Sequence, residues 1–212
     1  MEHEVDPSIA CNPLAESKKA GRSTLLETRL AAMAKATTGA AIEAHLDALI
    51  ARLAPRSIGF YWPLSGEFDA RAWVAAWLAG DAARRAALPV IRARHAPLEF
   101  HAWTPGAAMR EGHHRIPEPA DAQPLTPGLL LVPCVGFDDA CYRLGYGGGY
   151  YDRTLAAWPE VDAPPVTVGI ACEACRLDAL PREAHDLPLD AIVTEAACRS
   201  GARLSAMLAP KA

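Results

Sequence analysis

Residues 129–155 constrain the fold of this chain more than any other stretch. The stretch reads LLLVPCVGFDDACYRLGYGGGYYDRTL, an apolar run followed by a polar turn at Asp138 and Asp139, a glycine-rich segment and an amphipathic pattern from Tyr150. A short apolar run bounded by Pro and Gly is typical of a buried strand, and apolar residues at helical spacing indicate a helix. The sequence therefore predicts a strand, a glycine-rich loop and a helix in direct succession.

This glycine-rich loop is suited to binding a phosphate group. Glycines let backbone N–H groups approach an anion without a Cβ in the way, and a helix start presents further N–H groups. Arg143 at the mouth of the loop would neutralise charge, and Asp152 offers a carboxylate suited to Mg²⁺. The loop is neither a P-loop nor a dinucleotide fingerprint, because no Gly-Lys-Ser/Thr follows and Tyr150 replaces the last glycine. Spacing alone also permits a turn that only joins strand to helix.

Composition excludes several classes of protein. The chain has 212 residues, 51% of them hydrophobic, and a net charge of −4, which fits one globular domain with a sizeable core and argues against a general nucleic-acid binder. No apolar run has the length of a membrane span, and the acidic start of the chain does not resemble a signal peptide. We therefore expect a cytoplasmic monomer whose partners are small molecules, not nucleic acids or membranes.

Strand-like and helix-like patterns alternate along the chain. We expect an N-terminal extension over residues 1–15, a single α/β domain over residues 16–198 and a C-terminal tail over residues 199–212. Helices are predicted at residues 17–35, 40–53, 71–79 and from 150 on, strands at 57–62, 86–91, 98–103, 129–132, 166–171 and 191–194, and a long surface loop from 104 to 127. This alternation predicts a three-layer α/β/α domain with a mostly parallel, Rossmann-like sheet.

Three other features each allow two interpretations. Lys18 and Arg22 are four residues apart on the first predicted helix, so they form either a clamp for a polyanion or a solvated basic face. Asp69 follows a predicted strand, where it either contacts a ligand or caps the next helix. The C-x-x-C motif at Cys172 and Cys175 is either a redox or zinc site or a pair of buried, reduced thiols.

The string RLGYGGGYYDR after LVPCVGFD closely resembles the signature of the 5-formyltetrahydrofolate cyclo-ligase family, also called methenyltetrahydrofolate synthetases. The resemblance extends over residues 18–194 and includes an IP-x-P element at residues 116–119. It implies an enzyme that uses ATP and Mg²⁺ to close 5-formyltetrahydrofolate to 5,10-methenyltetrahydrofolate, with release of ADP and phosphate. In that reaction the formyl oxygen attacks the γ-phosphate, N10 attacks the activated formyl carbon, and phosphate departs.

The family resemblance also implies roles for individual residues. Catalysis is assigned to Arg143, Tyr151 and Asp152, and the metal site to Asp152 and Asp190. The folate site is assigned to Leu64, Glu67, Asp69 and Tyr150, without deciding which acid contacts the pterin. The ATP site is assigned to Lys18, Arg22, Arg143, Leu144, Gly145, Tyr146, Gly147, Gly148, Gly149, Tyr150 and Tyr151. Many relatives have a lysine where this chain has Gly148, which removes one cation, although other relatives share the glycine triplet.

Two further hypotheses follow from the resemblance. Six arginines and four histidines between Arg84 and Arg115 form either a solvated basic surface or a region that attracts the poly-γ-glutamate tail of cellular folates. The competing functions are a non-catalytic folate- or nucleotide-binding paralogue and a different enzyme on a related fold, such as a sugar-phosphate isomerase or an acyl-CoA transferase. Dependence on ATP distinguishes a cyclo-ligase from an isomerase.

Overall fold

The structure is a computed structural model that describes residues 13–158, 163–183 and 185–209, with side chains from residue 21 on. The helices of this part of the chain are α1 (Pro13–Met33), α2 (Ala36–Leu53), α3 (Arg71–Ala79), α4 (Tyr150–Ala156) and α5 (Ala202–Leu208). Its strands are β1 (Ser57–Gly59), β2 (Arg85–Val90), β3 (Glu99–Trp103), β4 (Met109–Glu111), β5 (Pro117–Pro119), β6 (Leu129–Pro133), β7 (Gly136–Asp138), β8 (Arg143–Leu144), β9 (Val166–Ile170), β10 (Arg176–Leu177), β11 (Ala191–Val193) and β12 (Cys198–Ser200).

A seven-stranded sheet with the order β12-β11-β9-β6-β1-β2-β3 organises the described residues. The five inner strands run parallel, and β3 and β12 add antiparallel edges. The apolar run of β6 lies at the centre of this sheet because its first four residues are buried on both faces. The predicted fold class, a mixed α/β domain with a mostly parallel sheet, is confirmed.

Helices cover both faces of the sheet. Helices α2, α3 and α5 pack on the face that carries Leu129 and Leu131, whereas α4 packs on the face that carries Leu130 and Val132. Alternate residues of β6 point to opposite faces, which is why one run of leucines serves both layers. Helix α1 packs instead against Val135 and the other residues that follow the carboxyl ends of β6 and β9. It therefore borders the edge of the sheet where parallel α/β domains bind ligands.

Several predicted elements differ from the structure. Helix α1 begins at Pro13, before its predicted start at residue 17, and the strand predicted at residues 57–62 is limited to β1. The segment from 104 to 127 is not a structureless loop, because β4 and β5 form a hairpin closed by an ion pair between Arg110 and Glu118. The predicted C-terminal tail contains the end of β12 and helix α5, whose Leu204 is fully buried.

The polar turn predicted at Asp138 and Asp139 is present, because the backbone N–H of Cys141 donates to the carbonyl of Asp138 at 3.0 Å. Asp138 ends β7, and its side chain is buried. Its carboxylate accepts hydrogen bonds from the backbone N–H groups of Ala140, Tyr142 and Leu180, which connects the start of the signature loop to a later segment. The small sheet β10-β7-β8 thus separates the central strand from the glycine segment. No helix in the described residues is long and apolar enough to cross a membrane.

The C-x-x-C cysteines are free thiols inside the fold. Cys172 and Cys175 are buried against Leu25 of α1, which fits the interpretation as a pair of buried thiols. Burial raises the pKa of Cys134 and Cys172 to about 12 and that of Cys141 to about 11. Because the thiolate is the reactive form, these groups are poor nucleophiles at neutral pH.

The buried thiols predict a loss of stability at alkaline pH. A thiol in the unfolded chain has a pKa of about 8.5, so the unfolded state releases its protons first as pH rises. Stability that is fully present below that pH should therefore decline, by about 2 kcal/mol for one fully buried thiol between about pH 8 and about pH 10. Urea unfolding across this range measures the decline. Cys134→Ala should make the free energy of unfolding fall less steeply with pH. A free energy of unfolding that does not change over this range would contradict the prediction.

Candidate active site

The glycine segment forms the predicted loop between β8 and α4. Gly147 and Gly149 have φ angles of +92° and +63°, a region that side chains disfavour, and Gly149 caps α4. Arg22 of α1 lies on this loop, with its Nε donating to the carbonyl of Gly145 at 2.8 Å. The structure thus brings together the first helix and the signature loop, as the family pattern implies. The side chain of Lys18, one turn earlier on α1, lies outside the described residues.

Arg143 is not at the mouth of the loop, where the sequence analysis placed it. Its side chain is 5% exposed and donates to Asp152 Oδ1 at 2.7 Å and to the carbonyl of Leu187 at 3.2 Å. Asp152 is 20% exposed, so its carboxylate remains within reach of a ligand. Arg143 therefore holds Asp152 in position and balances its charge, instead of facing the solvent.

Glu67 lies in a buried cluster that joins three segments of the chain. Its Oε1 accepts from the Tyr146 hydroxyl at 2.8 Å and from Arg29 at 3.4 Å, and its Oε2 accepts from the backbone N–H of Leu64 at 2.7 Å. The side chains of Arg29 and Glu67 are each 3% exposed. Tyr146 belongs to the glycine loop, so one hydroxyl group links the predicted ATP-binding loop to the predicted folate-binding acid.

Arg29 is the structural centre of this cluster. It donates to the Tyr146 hydroxyl at 2.6 Å and to the carbonyls of Ser65 and Cys134 at 3.1 and 3.5 Å. Burial acts to lower the pKa of Arg29, but the Tyr146 hydrogen bond and the Glu67 carboxylate outweigh it, so the pKa is raised. Arg29 is charged throughout the physiological range and holds Glu67 as its counter-ion.

Tyr151 lies beside the same cluster as a neutral side chain. Burial, reinforced by the Glu67 carboxylate, raises the pKa of its hydroxyl far above the ordinary value. Tyr150 is half-buried and contacts the ring of His114 on the β4–β5 hairpin, with a centroid distance of 6.5 Å. The two neighbouring tyrosines thus extend from the glycine loop towards Glu67 and towards the hairpin. Because its hydroxyl stays protonated at neutral pH, Tyr151 is not a general base.

Asp69 lies outside the Glu67 cluster. Its 48% exposed side chain pairs with Arg71 through contacts of 2.8 and 2.6 Å and accepts the backbone N–H of Arg71 at the start of α3. The hydrogen bond from Arg71 lowers the pKa of Asp69. The helix-capping interpretation of Asp69 fits these contacts, and Glu67 is the acid that faces the interior. A groove of about 490 Å³ lies beside Glu67, between the α1–α2 turn and the segment after β1.

Asp190 does not join Asp152. It precedes β11, at the amino end of the parallel strands, whereas the glycine loop meets residues that follow their carboxyl ends. Asp190 Oδ2 accepts from the backbone and hydroxyl of Thr167 at 2.8 and 3.0 Å and from Arg203 at 2.8 Å. Because these three donors bind one oxygen of a buried carboxylate at the opposite edge of the sheet from the glycine loop, we assign Asp190 to the fold and not to the metal site. His185 is largely exposed beside Glu183.

Sequence reasoning missed two arginines of the site. Arg29 follows Arg22 by seven residues, so the two lie on one face of α1, and this spacing was an available signal. Arg153 belongs to the signature string, yet its side chain carried no assigned role. It donates to the carbonyl of Gly148 at 2.5 Å. Both have a buried Nε without a partner among the described residues.

The fold and these contacts define an α/β protein whose candidate site combines a glycine-rich loop with a buried carboxylate. The model of the 5-formyltetrahydrofolate cyclo-ligase family matches residues 14–195. The chain belongs to this family and is an enzyme of that class. The identification made from the signature string is confirmed.

Individual relatives agree with this assignment. The 5-formyltetrahydrofolate cyclo-ligase of Escherichia coli is 34% identical over 145 residues, which are 65% of this chain and 77% of that protein. The Haemophilus influenzae protein of the same name is 30% identical over 77% of this chain and 89% of its own. Among solved structures, the Aquifex aeolicus 5,10-methenyltetrahydrofolate synthetase superimposes with a TM-score of 0.71 at 26% identity, covering 86% of this chain and 92% of that one.

Proposed function

We propose that this chain catalyses the ATP- and Mg²⁺-dependent closure of 5-formyltetrahydrofolate to 5,10-methenyltetrahydrofolate, releasing ADP and phosphate. The observation that carries the proposal is the hydrogen bond between Tyr146 of the glycine loop and Glu67. This hydrogen bond joins a loop that is suited to binding phosphates to a buried acid that is suited to binding a pterin. A reaction that transfers phosphate from ATP to folate needs these two subsites side by side.

Activation of the formyl group is the chemical problem. The formyl oxygen of an amide-like group is a poor leaving group, so it first attacks the γ-phosphorus and displaces ADP. N10 then forms a bond to the formyl carbon and releases its proton, and the bond from that carbon to the phosphorylated oxygen breaks, so that inorganic phosphate leaves. Phosphoryl transfer depends on positioning and on neutralising charge, so the protein need not supply a covalent nucleophile.

The loop and α1 supply the positive charge for this transfer. Gly147, Gly148 and Gly149 form a backbone surface that has no side chains of its own, and Arg22 lies against it. Lys18 would add a second cation from the same face of α1. We assign the phosphates of ATP to this surface. Because α4 has only seven residues, we attribute little of the binding to its dipole.

Asp152 fits a Mg²⁺ ion. Magnesium in ATP-using enzymes is bound through one or two carboxylates together with substrate phosphates, and Asp152 is a partly exposed carboxylate next to the loop. Arg143, its one partner in the described residues, contacts Oδ1. When bound, the ion would offset the negative charge of the transferring phosphate. Arg143 orients the carboxylate for that task.

Glu67 and Tyr151 would form the folate end of the site. A carboxylate accepts two hydrogen bonds from the pyrimidine edge of a pterin, and Glu67 is held in place by Arg29 and by the Leu64 N–H. The groove beside Glu67 offers space for the ring, and Leu64, whose backbone N–H binds Glu67, carries an exposed apolar side chain next to that acid. Tyr151 stays protonated and acts as a wall and a hydrogen-bond donor.

The reaction itself is tested by the absorbance of the methenyl product. Purified protein mixed with MgATP and 5-formyltetrahydrofolate should give a rise in this absorbance, together with one ADP for each product. Omitting ATP, or chelating magnesium, should abolish the rise. Binding of both ligands without product would support the non-catalytic paralogue, and turnover of another substrate without ATP would support a different enzyme.

The matched pair Glu67→Gln and Asp69→Asn tests the assignment of the pterin contact. Each substitution removes one carboxylate charge from the segment after β1. We expect Glu67→Gln to raise KM for the folate by about 10- to 100-fold, the effect of losing a charge-assisted hydrogen bond. Asp69→Asn should leave KM within a factor of about 2, since its partner is Arg71. The opposite order of effects would assign the pterin to Asp69.

Three other expectations stay predictions. Within the basic segment Arg92 pairs with Glu99, and Arg110 pairs with Glu118. The remaining basic side chains near the β4–β5 hairpin would attract the poly-γ-glutamate tail of a folate. A cytoplasmic location and a monomeric state accord with small-molecule substrates.

A further inference from the structure

Arg153 lies along the glycine loop and not in solvent. Its Nη2 donates to the carbonyl of Gly148, and a Cβ on Gly149 would meet its Nη1 at 2.7 Å. The guanidinium also lies over the ring of Tyr150, 5.2 Å from the centroid. The side chain is thus held flat against the part of the loop that has no side chains.

The charge of Arg153 has no carboxylate partner in the part of the chain that the structure describes. Its Nε is buried and makes no hydrogen bond there. The two other site arginines, Arg29 and Arg143, each pair with an acid. A half-buried cation with an unsatisfied donor is costly, and an anion that lies against it removes that cost.

Arg22 repeats this arrangement at the other end of the loop. It donates to the Gly145 carbonyl, and its guanidinium carbon would lie 3.2 Å from a Cβ on Gly147. It too has no carboxylate partner among the described residues. Two unneutralised guanidinium groups therefore flank the segment Gly147, Gly148 and Gly149. A guanidinium presents its N–H groups in a planar fork that matches a phosphate.

We propose that Arg153 is a phosphate-binding residue that contacts ATP together with Arg22. The inference rests on the proposed function and adds to it a cation that the signature pattern did not assign. When nucleotide is bound, a phosphate oxygen takes the place of the Gly148 carbonyl as the acceptor for Arg153. This cation compensates for the glycine at position 148, which leaves the loop without a basic side chain of its own.

Arg153→Gln tests the proposal when the binding of ATP and the binding of the folate are measured separately. We expect the Kd for MgATP, from isothermal titration calorimetry without folate, and KM for ATP to rise by about 10- to 100-fold. KM for the folate should change by less than a factor of about 3. The matched control is Arg56→Gln, which removes an exposed arginine that precedes β1 at the amino edge of the sheet. It should leave both constants unchanged.

Charge rescue at position 148 separates phosphate binding from a structural role. Gly148 does not have a positive φ, and a Cβ there would meet only the Tyr150 ring, at 2.9 and 3.0 Å. In an Arg153→Ala background, Gly148→Lys should recover about tenfold in ATP affinity, whereas Gly148→Ala should recover none. If Arg153 only holds the loop against α4, neither second substitution restores ATP binding, and Arg153→Gln weakens the binding of ATP and of the folate alike.

The outcomes also separate this proposal from the proposed function. A wild-type protein that forms methenyl product while Arg153→Gln binds MgATP normally overturns only the role of Arg153. A wild-type protein that neither binds ATP nor forms product overturns the proposed function as well. If Arg153→Ala fails to fold, Arg153→Lys replaces it, and retention of most of the ATP affinity supports the proposal. A loss of ATP affinity in Arg153→Lys as large as that in Arg153→Gln contradicts the proposal.

Discussion

Asp152→Asn is expected to lower kcat by about 10²- to 10³-fold, the loss found when one electrostatic stabiliser of a transition state is removed. The amide keeps an oxygen that can accept the hydrogen bond from Arg143, now 2.7 Å from Oδ1, so the fold should persist. The substitution removes the negative charge that, in our assignment, binds Mg²⁺. We therefore expect the magnesium concentration for half-maximal activity to rise, with little change in KM for the folate.

Asp190→Asn is the matched control for Asp152→Asn. It removes the same charge at the amino edge of the sheet, where Asp190 accepts from Thr167 and Arg203. We expect a loss of about 1–3 kcal/mol of stability and an unchanged magnesium dependence. Magnesium titrations of the initial rate and urea unfolding of both variants measure these effects. A magnesium defect in Asp190→Asn would return that residue to the metal site.

Arg29→Met should be the most destabilising single change at the site, by about 3–5 kcal/mol. Removing the guanidinium leaves the Glu67 carboxylate buried beside the Tyr146 hydroxyl and leaves the Ser65 and Cys134 carbonyls without its hydrogen bonds. For a chain of this length the loss corresponds to a fall in Tm of about 10 °C. Circular dichroism melts and urea titrations of the reduced protein measure it.

Two further variants isolate the ion pair from the packing of the long side chain. Arg22→Met removes an arginine from the same helix, and we expect it to cost about 1 kcal/mol or less, because its single hydrogen bond is to a loop carbonyl. Glu67→Gln in the Arg29→Met background should recover about 1–3 kcal/mol, since it removes the uncompensated charge. A variant Arg29→Met that is as stable as Arg22→Met would contradict the buried ion pair.

Tyr146 connects the proposed ATP and folate subsites, so the binding of one substrate would affect the binding of the other. Its hydroxyl bridges Arg29 and Glu67, although its ring is part of the glycine loop and substantially exposed. A pterin that binds Glu67 competes with this hydroxyl for the same carboxylate oxygen. In the proposed enzyme this one hydrogen bond would connect the position of the glycine loop to the occupancy of the folate subsite.

Local patterns predicted much of the fold because they depend on neighbouring residues. The run of leucines in β6, the amphipathic α2 and α3 and the start of α4 at Tyr150 follow from periodicity and breakers. Local patterns did not predict the β4–β5 hairpin or the pairing of β11 with β12, because strands of three residues carry too little pattern. Their formation depends on pairing with a partner strand that the local sequence does not reveal.

The sequence by itself determined the family and the glycine loop, because these reside in one contiguous motif, and the family pattern implied the contact of α1 with that loop. Tertiary structure decided which charges are partners. Arg29 finds Glu67 across 38 residues and Tyr146 across 117, Arg143 turns inward to Asp152, and Asp190 is drawn to Arg203 at the far edge of the sheet. The physical reason is that a buried charge must be compensated by whatever group the fold brings within a few ångströms, and spacing along the chain does not encode that distance.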